Sequence, residues 1–279
     1  MPIDLHTHSS ASDGTQSPRE LVAAAAAAGI DVLGLTDHDT TAGWDEAAQA
    51  AHEAGIALVR GAELSTRTGW TSVHLLSYLH DPQDEPLAAA LTRSRTARVR
   101  RAEAIVANLA RDFPIDWHDV LAQVAPGATV GRPHIADALV AVGAAPTRDA
   151  VFASILGDGS PYVVHYDVPT PEEMIALVLA AGGVPVIAHP FAHLRGASLD
   201  ADGIAALAAV GLVGIEVDHR DHSGADRAAL RDLARELDLV VTGSSDFHGT
   251  GKLNRLGENI TNPDALAAIA ERGRLAVLR

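Results

Sequence analysis

The sequence predicts an α/β protein, a parallel sheet or α/β barrel with a helical segment let into it, and three observations predict it. Short apolar runs that read as strands alternate with Ala-rich helical stretches along most of the chain. Hydrophobic residues make up 47% and aromatics only 4%, so the core is built from Ala, Val, Leu and Ile. That composition suits parallel strands covered by small-residue helices. Over 84–168 the alternation stops, and helical patterns follow one another without a convincing strand.

The elements follow in order. A first strand runs straight into His6-Thr7-His8, and alternate residues of a strand share a face, so both imidazoles can grip one ion. A small polar loop with Asp13-Gly14 comes next. Ser17 as N-cap, Pro18 at the first helical position and Glu20 in the first turn start a helix that Gly29 ends. Residues 31–36 read as a buried strand ending in Asp37-His38-Asp39. A helix over 43–54 leads to a strand over 56–65 that presents Glu63, and 71–79 is a strand carrying His74.

In the interrupting segment, 84–111 is a long helix with Arg93, Arg95, Arg98, Arg100 and Arg101 in its middle, and shorter helices follow at 117–124, 133–142 and 148–156. Alternation resumes with a helix over 171–181, a strand over 183–188 ending in His189-Pro190, a strand over 212–217 and a helix over 224–237. A strand over 239–245 ends in Asp246-Phe247-His248, and a helix at 263–271 and a strand at 275–278 close the chain. The expected organisation is a first barrel segment at 1–83, a helical cap at 84–168 and a second barrel segment at 169–279.

The 279 residues are enough for one large domain with an insertion and a well-buried core. The chain has no cysteine, which excludes disulfides and thiolate metal sites and makes the cytoplasm the expected location. No basic region with an apolar signal core opens it, and its apolar runs are too short or interrupted to span a bilayer. Net charge is −15, from 21 Lys+Arg against 36 Asp+Glu. A chain this acidic is a poor general binder of nucleic acid, so duplex DNA is not an expected partner, nor is a membrane.

Set side by side, the strand ends bring His6, His8, Asp13, His38, Glu63, His74, His189, Asp246 and His248 to one edge. In α/β barrels the carboxyl ends of the strands converge on the face where active sites are built. Each residue alone has an ordinary explanation: a helix cap at Asp37-His38-Asp39, a paired sheet carboxylate at Glu63, a core histidine at His74. Together those explanations require independent accidents at the same end of successive strands.

The segments His6-Thr7-His8, Asp13-Gly14, Thr36-Asp37-His38-Asp39, Gly61-Ala62-Glu63, His74, Ala188-His189-Pro190 and Ser245-Asp246-Phe247-His248 resemble, in order and spacing, the motifs of the PHP family, the polymerase and histidinol phosphatase superfamily. The resemblance covers nearly the whole chain and implies a distorted (β/α)7 barrel, TIM-like, with a trinuclear metal centre. It implies that His6, His8, Glu63 and Asp246 hold a first ion. Glu63 then bridges to a second ion on His74 and His189, and Asp13, His38 and His248 hold a third. Asp37 and Asp39 are left as orienting residues behind the ligands.

Two to three divalent ions are expected, manganese first and iron or zinc as alternatives, since imidazole and carboxylate donors suit these better than magnesium. Three such ions outweigh the carboxylates of Asp13, Glu63 and Asp246, so the site stays cationic and a phosphate is its natural guest. Water held among the ions loses a proton readily and serves as nucleophile.

Gly131-Arg132-Pro133-His134 resembles a segment of the branch that includes the 3′,5′-nucleoside bisphosphate phosphatases and related nucleoside monophosphate and short-RNA hydrolases. It implies that Arg132 and His134 clamp substrate phosphate. His193, a candidate catalytic residue, and Arg195 are placed to face the leaving group or a second phosphate, and Tyr162 and His165 to line the pocket. His52, His80, His118, His219 and His222 read as surface or loop residues.

The expected activity is metal-dependent hydrolysis of the 3′-phosphate of a 3′,5′-bisphosphorylated nucleoside to the 5′-monophosphate. Alternatives are a nucleoside monophosphatase, a 5′-3′ exoribonuclease on short RNA, and a non-enzymatic metal-holding interaction module.

Overall fold

Among the residues that the computed structural model describes (1–69, 71–157, 159–193 and 199–279), the strands form one seven-stranded sheet in chain order. These are β1 (Ile3–Thr7), β2 (Val32–Leu35), β3 (Ala57–Thr68), β4 (Thr71–Tyr78), β5 (Val184–Ile187), β6 (Gly214–Asp218) and β7 (Val240–Gly243). The sheet nearly closes on itself. Just beyond β7 the Asp246 N–H donates to the His6 carbonyl at 2.9 Å, and the His8 N–H donates to the Phe247 carbonyl at 2.8 Å. The first and last ligand motifs of the sequence therefore lie on hydrogen-bonded neighbours.

The sheet is mixed, which departs from the expected parallel arrangement in one place. β4 pairs antiparallel with both β3 and β5, while the remaining pairs are parallel. The cause is the connection: only a turn at Gly69, with φ 56°, separates Thr68 from its partner Thr71, and a parallel crossover needs a much longer link. Because β4 runs against its neighbours, its beginning lies at the edge where β3 and β5 carry their ligands. His74, opposite Ser65 in the register, thereby reaches the same edge as Glu63 and His189.

Helices α1 (Pro18–Ala27) and α2 (Trp44–Ala54) cover the first strands, with Leu21, Val22, Ala25, Trp44, Ala47 and Ala51 buried against Leu33 and Leu35. Ser17 and Glu20 form the expected capping box of α1, and Gly55 ends α2 with φ 70°. α7 (Pro171–Ala180), α8 (Ala201–Ala209), α9 (Gly224–Glu236) and α10 (Pro263–Arg272) cover the remaining strands. α8 has no counterpart among the elements expected from the sequence. Asp200 caps this helix through the Gly203 N–H. Residues 275–278 contribute only an isolated antiparallel bridge from Leu278 to Leu58 rather than a full strand.

Between β4 and α7 lie α3 (Glu85–Leu109), α4 (Trp117–Leu121), α5 (Arg132–Ala141) and α6 (Arg148–Ser154). α3 belongs to two cores: Leu87, Ala90 and Leu91 pack with the sheet, whereas Ala102, Ile105, Val106 and Leu109 join Ile135, Leu139 and Val151 in a separate apolar cluster. One continuous helix thus contributes to both apolar clusters. Among the described residues no helix is long and apolar enough to cross a membrane.

Candidate metal centre

Each ligand motif sits where a strand gives way to a loop or meets the edge of the sheet. Gly14 sets the Asp13 loop: a Cβ there would run into the carbonyl of His8, so only glycine lets the loop fold back against the end of β1. Asp37 holds the same loop from below, accepting hydrogen bonds from the Ser9 N–H at 2.8 Å, the Ser9 hydroxyl at 2.6 Å and the Ser12 hydroxyl at 2.6 Å. Asp39 accepts from the Ser65 N–H at 2.8 Å and from Arg98 Nε at 2.8 Å. Asp37 and Asp39 therefore orient loops and neighbouring strands, and their hydrogen bonds run to these groups rather than to ligand imidazoles.

Three groups of potential ligand atoms emerge among the described residues: His6, His8, Glu63 and Asp246; His8, Asp13, His38 and His248; and His38, Glu63 and His74. Glu63 is the hub. Its Oε2 lies 3.2 Å from His6 Nε2 and 3.0 Å from His8 Nε2, while its Oε1 lies 2.7 Å from His74 Nδ1 and 3.1 Å from His189 Nε2. Asp13 faces His248 Nε2 at 3.4 Å and His38 Nε2 at 3.7 Å. All nine residues named from the sequence are thus brought together, and all but His74 are buried.

The electrostatics match this geometry. Burial alone would raise the Glu63 carboxyl, but His74, His38 and His6 outweigh it and hold it well below its usual range. Asp13 is likewise held low against burial by His38 and His248. At His6 burial opposes the charged form, yet Glu63, Glu216 and Asp246 hold a proton there well above the usual imidazole range. A field that retains a proton in a fully buried site favours a bound cation in the same place.

The donor set itself fits divalent ions. His6 Nε2 and His8 Nε2 stand 3.0 Å apart while both face Glu63, so their nitrogens converge on common points instead of on separate partners. The buried nitrogens His38 Nδ1 and His74 Nδ1 lie 3.3 and 2.7 Å from Glu63 oxygens and, among the described residues, have no hydrogen-bond partner. Convergent imidazole and carboxylate donors with unused lone pairs are what a first-row divalent ion requires.

Residues 4–109 match the PHP domain family. A 3′,5′-nucleoside bisphosphate phosphatase of Chromobacterium violaceum is 35% identical over 260 residues, which covers 91% of this chain and 89% of that protein. A 5′-3′ exoribonuclease of Haemophilus influenzae is 35% identical over 272 residues, covering 96% of this chain and 98% of that protein. This chain belongs to the PHP family. A crystal structure described as a metal-dependent phosphoesterase of Bifidobacterium adolescentis superposes with a TM-score of 0.95 at 44% identity, covering 98% of each chain. The PHP chain is accordingly a metal-dependent phosphoesterase, a hydrolase of phosphoric ester bonds.

Several residues around the PHP centre escaped the sequence reading. Glu216 on β6 is fully buried; it accepts from His6 Nδ1 at 3.1 Å, from the His189 N–H at 2.9 Å and from the Ser244 hydroxyl. An acid inside the apolar run Val213-Gly214-Ile215-Glu216-Val217 was the available signal. Asp4 on β1 binds the Ser245 N–H at 3.0 Å and the Gly257 N–H at 2.9 Å, and burial raises its carboxyl to about 6. Lys252 reaches Asp246 Oδ2 at 2.9 Å.

Three histidines expected at the surface are buried. His80 packs beside Trp44 with its Nδ1 2.8 Å from the Ser77 hydroxyl, and His222 Nδ1 donates to the Val217 carbonyl at 2.8 Å. His219 lies under the centre, 3.5 Å from Asp246 Oδ2. Each has a neighbouring backbone or side-chain group paired with a ring nitrogen, which offsets the cost of burying it. His52 and His118 are exposed, as expected.

In the helical segment, Gly131 abuts the Asp13 corner: a Cβ there would meet Arg98 Nη1 at 3.6 Å and Asp13 Oδ2 at 3.8 Å. His134 Nδ1 accepts the Gly131 N–H at 3.1 Å, which leaves Nε2 to carry the ring proton, and burial lowers its basicity. Arg132 opens α5 with its guanidinium 5.9 Å from the Phe152 ring. His193 has a side chain 58% exposed and stands 3.6 Å from Asp226 in the first turn of α9, outside the three ligand groups. Tyr162 donates to Asp112 at 2.8 Å and His165 is exposed; Arg195 lies outside the described residues.

Proposed function

We propose that this chain removes the 3′-phosphate of a 3′,5′-bisphosphorylated nucleoside, giving the 5′-monophosphate and inorganic phosphate. The observation that carries this reading is the placement of Gly131-Arg132-Pro133-His134 against the Asp13 corner of the ligand groups. A phosphate seated on the centre there has the start of α5, the Arg132 fork and the His134 Nε2–H as donors.

The proposed ligands are His6, His8, Glu63 and Asp246 for one divalent ion, Glu63, His74 and His189 for a second, and Asp13, His38 and His248 for a third. Two to three ions are proposed, manganese first, with iron or zinc as alternatives. When bound, they supply positive charge against the phosphate oxygens and a readily deprotonated water. Glu63, kept ionised by its histidines, shares its two oxygens between ligand groups. Glu216 keeps His6 Nε2 turned inward by occupying Nδ1.

Arginines of the helical segment add a second source of positive charge in an acidic chain. Burial and the nearby Arg132 pull the Arg101 guanidinium down to about 10, and Arg98 and Arg67 contribute to the same crowding. Arg101 lies 4.6 Å over the Tyr166 ring and donates to the Val164 carbonyl at 2.8 Å. Among the described residues neither Arg101 nor Arg67 pairs with a carboxylate, so this corner keeps net positive charge for a second phosphate of the substrate.

The Haemophilus influenzae relative supports a second reading, 5′-3′ exoribonuclease action on short RNA, in which the same arginines follow the backbone. A 3′,5′-bisphosphate, a nucleoside 5′-monophosphate and a short 5′-phosphorylated RNA, compared under one manganese condition, separate these readings. The proposal expects the bisphosphate to have the highest kcat/KM. A faster RNA reaction overturns it in favour of the exoribonuclease, and a faster monophosphate reaction in favour of a monophosphatase.

A further inference from the structure

Asp246 is held in an unusual way. It follows β7 with φ 53°, a left-handed conformation that Asp tolerates better than most side chains, and it is 1% exposed. Its two carboxylate oxygens face different surroundings. Oδ1 lies 3.5 Å from each of His6 Nε2, His8 Nε2 and His248 Nδ1. Oδ2 faces away from them, 2.9 Å from Lys252 Nζ and 3.5 Å from His219 Nε2.

Both outer partners are themselves positioned. His219 is fully buried, and its Nδ1 accepts the Asp221 N–H at 3.1 Å, so the ring proton sits on Nε2. Among the described residues that nitrogen has no hydrogen-bond partner, and Asp246 Oδ2, at 3.5 Å, is the carboxylate oxygen it faces. The carbonyl of His219 is in turn fixed by Arg227 Nη2 at 2.7 Å. Lys252 follows the short 3-10 turn Gly249–Gly251, which is pinned to the Asp13 loop where the Thr250 N–H donates to Thr15 Oγ1 at 2.9 Å.

We propose that Lys252 and His219 are positioning residues for Asp246: together they occupy Oδ2 so that Oδ1 alone is presented to the ligand group of His6, His8 and Glu63. A carboxylate with both oxygens free can turn to offer either or both to an ion; one whose outer oxygen is hydrogen-bonded to an ammonium and faced by an imidazole N–H at 3.5 Å offers the other oxygen in a fixed direction. The pairing also neutralises much of the charge of Asp246 on its outer side. This inference rests on the metal assignment made above for His6, His8, Glu63 and Asp246.

The test titrates the metal-free full chain with Mn(II), following binding by calorimetry and by the electron paramagnetic resonance of free Mn(II), with the thermal midpoint of the metal-free protein measured alongside. In Lys252→Met the tightest sites are expected to weaken by about tenfold at an unchanged midpoint, and Lys252→Arg to recover most of the loss. His219→Gln, which removes the imidazole N–H, is expected to show the same weakening. Wild-type affinity in both Lys252→Met and His219→Gln overturns the proposal, as does weakening matched by a fall in the metal-free midpoint. Should wild type itself bind no Mn(II), the metal assignment fails; should wild type bind and the variants bind equally, only the positioning role fails.

Discussion

Glu216 Oε1 accepts a hydrogen bond from His6 Nδ1 at 3.1 Å, and this contact decides which nitrogen of His6 faces the ligand group. With Nδ1 occupied, Nε2 is directed at Glu63 and Asp246. The other oxygen of Glu216 takes the backbone N–H of His189, whose φ of 30° is unusual for a residue other than glycine. One carboxylate thus holds the His6 ring on β1 and the backbone of His189 just beyond β5.

Glu216→Gln keeps the size of the side chain but leaves it a single oxygen acceptor for the three donors it now serves. Metal affinity is expected to fall by about 10- to 100-fold, the usual cost of losing a partner behind a ligating histidine. Mn(II) titration of the metal-free protein reads this directly. Unaltered affinity would mean that packing alone orients His6.

Glu63 and Asp13 differ in what they hold. Glu63 touches His6 and His8 through one oxygen and His74 and His189 through the other, whereas Asp13 faces the His38 and His248 corner. Elemental analysis of purified variants should therefore show Asp13→Ala losing a single ion and Glu63→Gln losing more than Asp13→Ala. Equal losses would refute the sharing role given to Glu63.

Arg98 and Asp39 form an ion pair at 2.8 Å with side chains 10% and 0% exposed, reinforced by the Ser65 hydroxyl, to which Arg98 Nη2 donates at 2.7 Å. Removing only the cation leaves a buried carboxylate behind. Arg98→Met is expected to cost about 3 kcal/mol, the low end for a broken buried pair, because Ser65 still donates to Asp39. The double variant Arg98→Met with Asp39→Asn should recover much of the loss in urea denaturation. A double variant less stable than the single would mean that Asp39 is satisfied without Arg98.

The ligand set was legible because each motif is local: a strand delivers its last residues to the sheet edge, so His6-Thr7-His8 or Asp246-Phe247-His248 carries its own placement. Behind the ligands, legibility fails for a physical reason. Glu216, Asp4 and Lys252 act through partners distant in the sequence, and their use depends on which strands become neighbours. His219 and His80 looked like loop residues because burial of a histidine is decided by a partner, the Asp221 N–H or the Ser77 hydroxyl, that composition does not reveal. The direction of β4 was within reach, since no helix fits between Ser65 and Thr71.

His80 makes the stability of the fold depend on pH independently of the metal centre. Burial lowers its pKa from 6.5 to about 4, against small opposing effects of Ser77, Asp81 and Asp84. Above the unfolded value both states are neutral and the contribution to stability is complete. As pH falls below 6.5 the unfolded chain takes up a proton that the folded one refuses, so stability declines until the folded pKa near 4 is passed. The loss approaches about 1.4 kcal/mol per pH unit across that window, or on the order of 3 kcal/mol in all. His80→Gln removes the titration, so the difference in unfolding free energy between wild type and variant should shrink on acidification from pH 7 to pH 4. Urea denaturation of the metal-free proteins at several pH values measures it. A difference that stays constant would show that His80 keeps an ordinary pKa in the folded state.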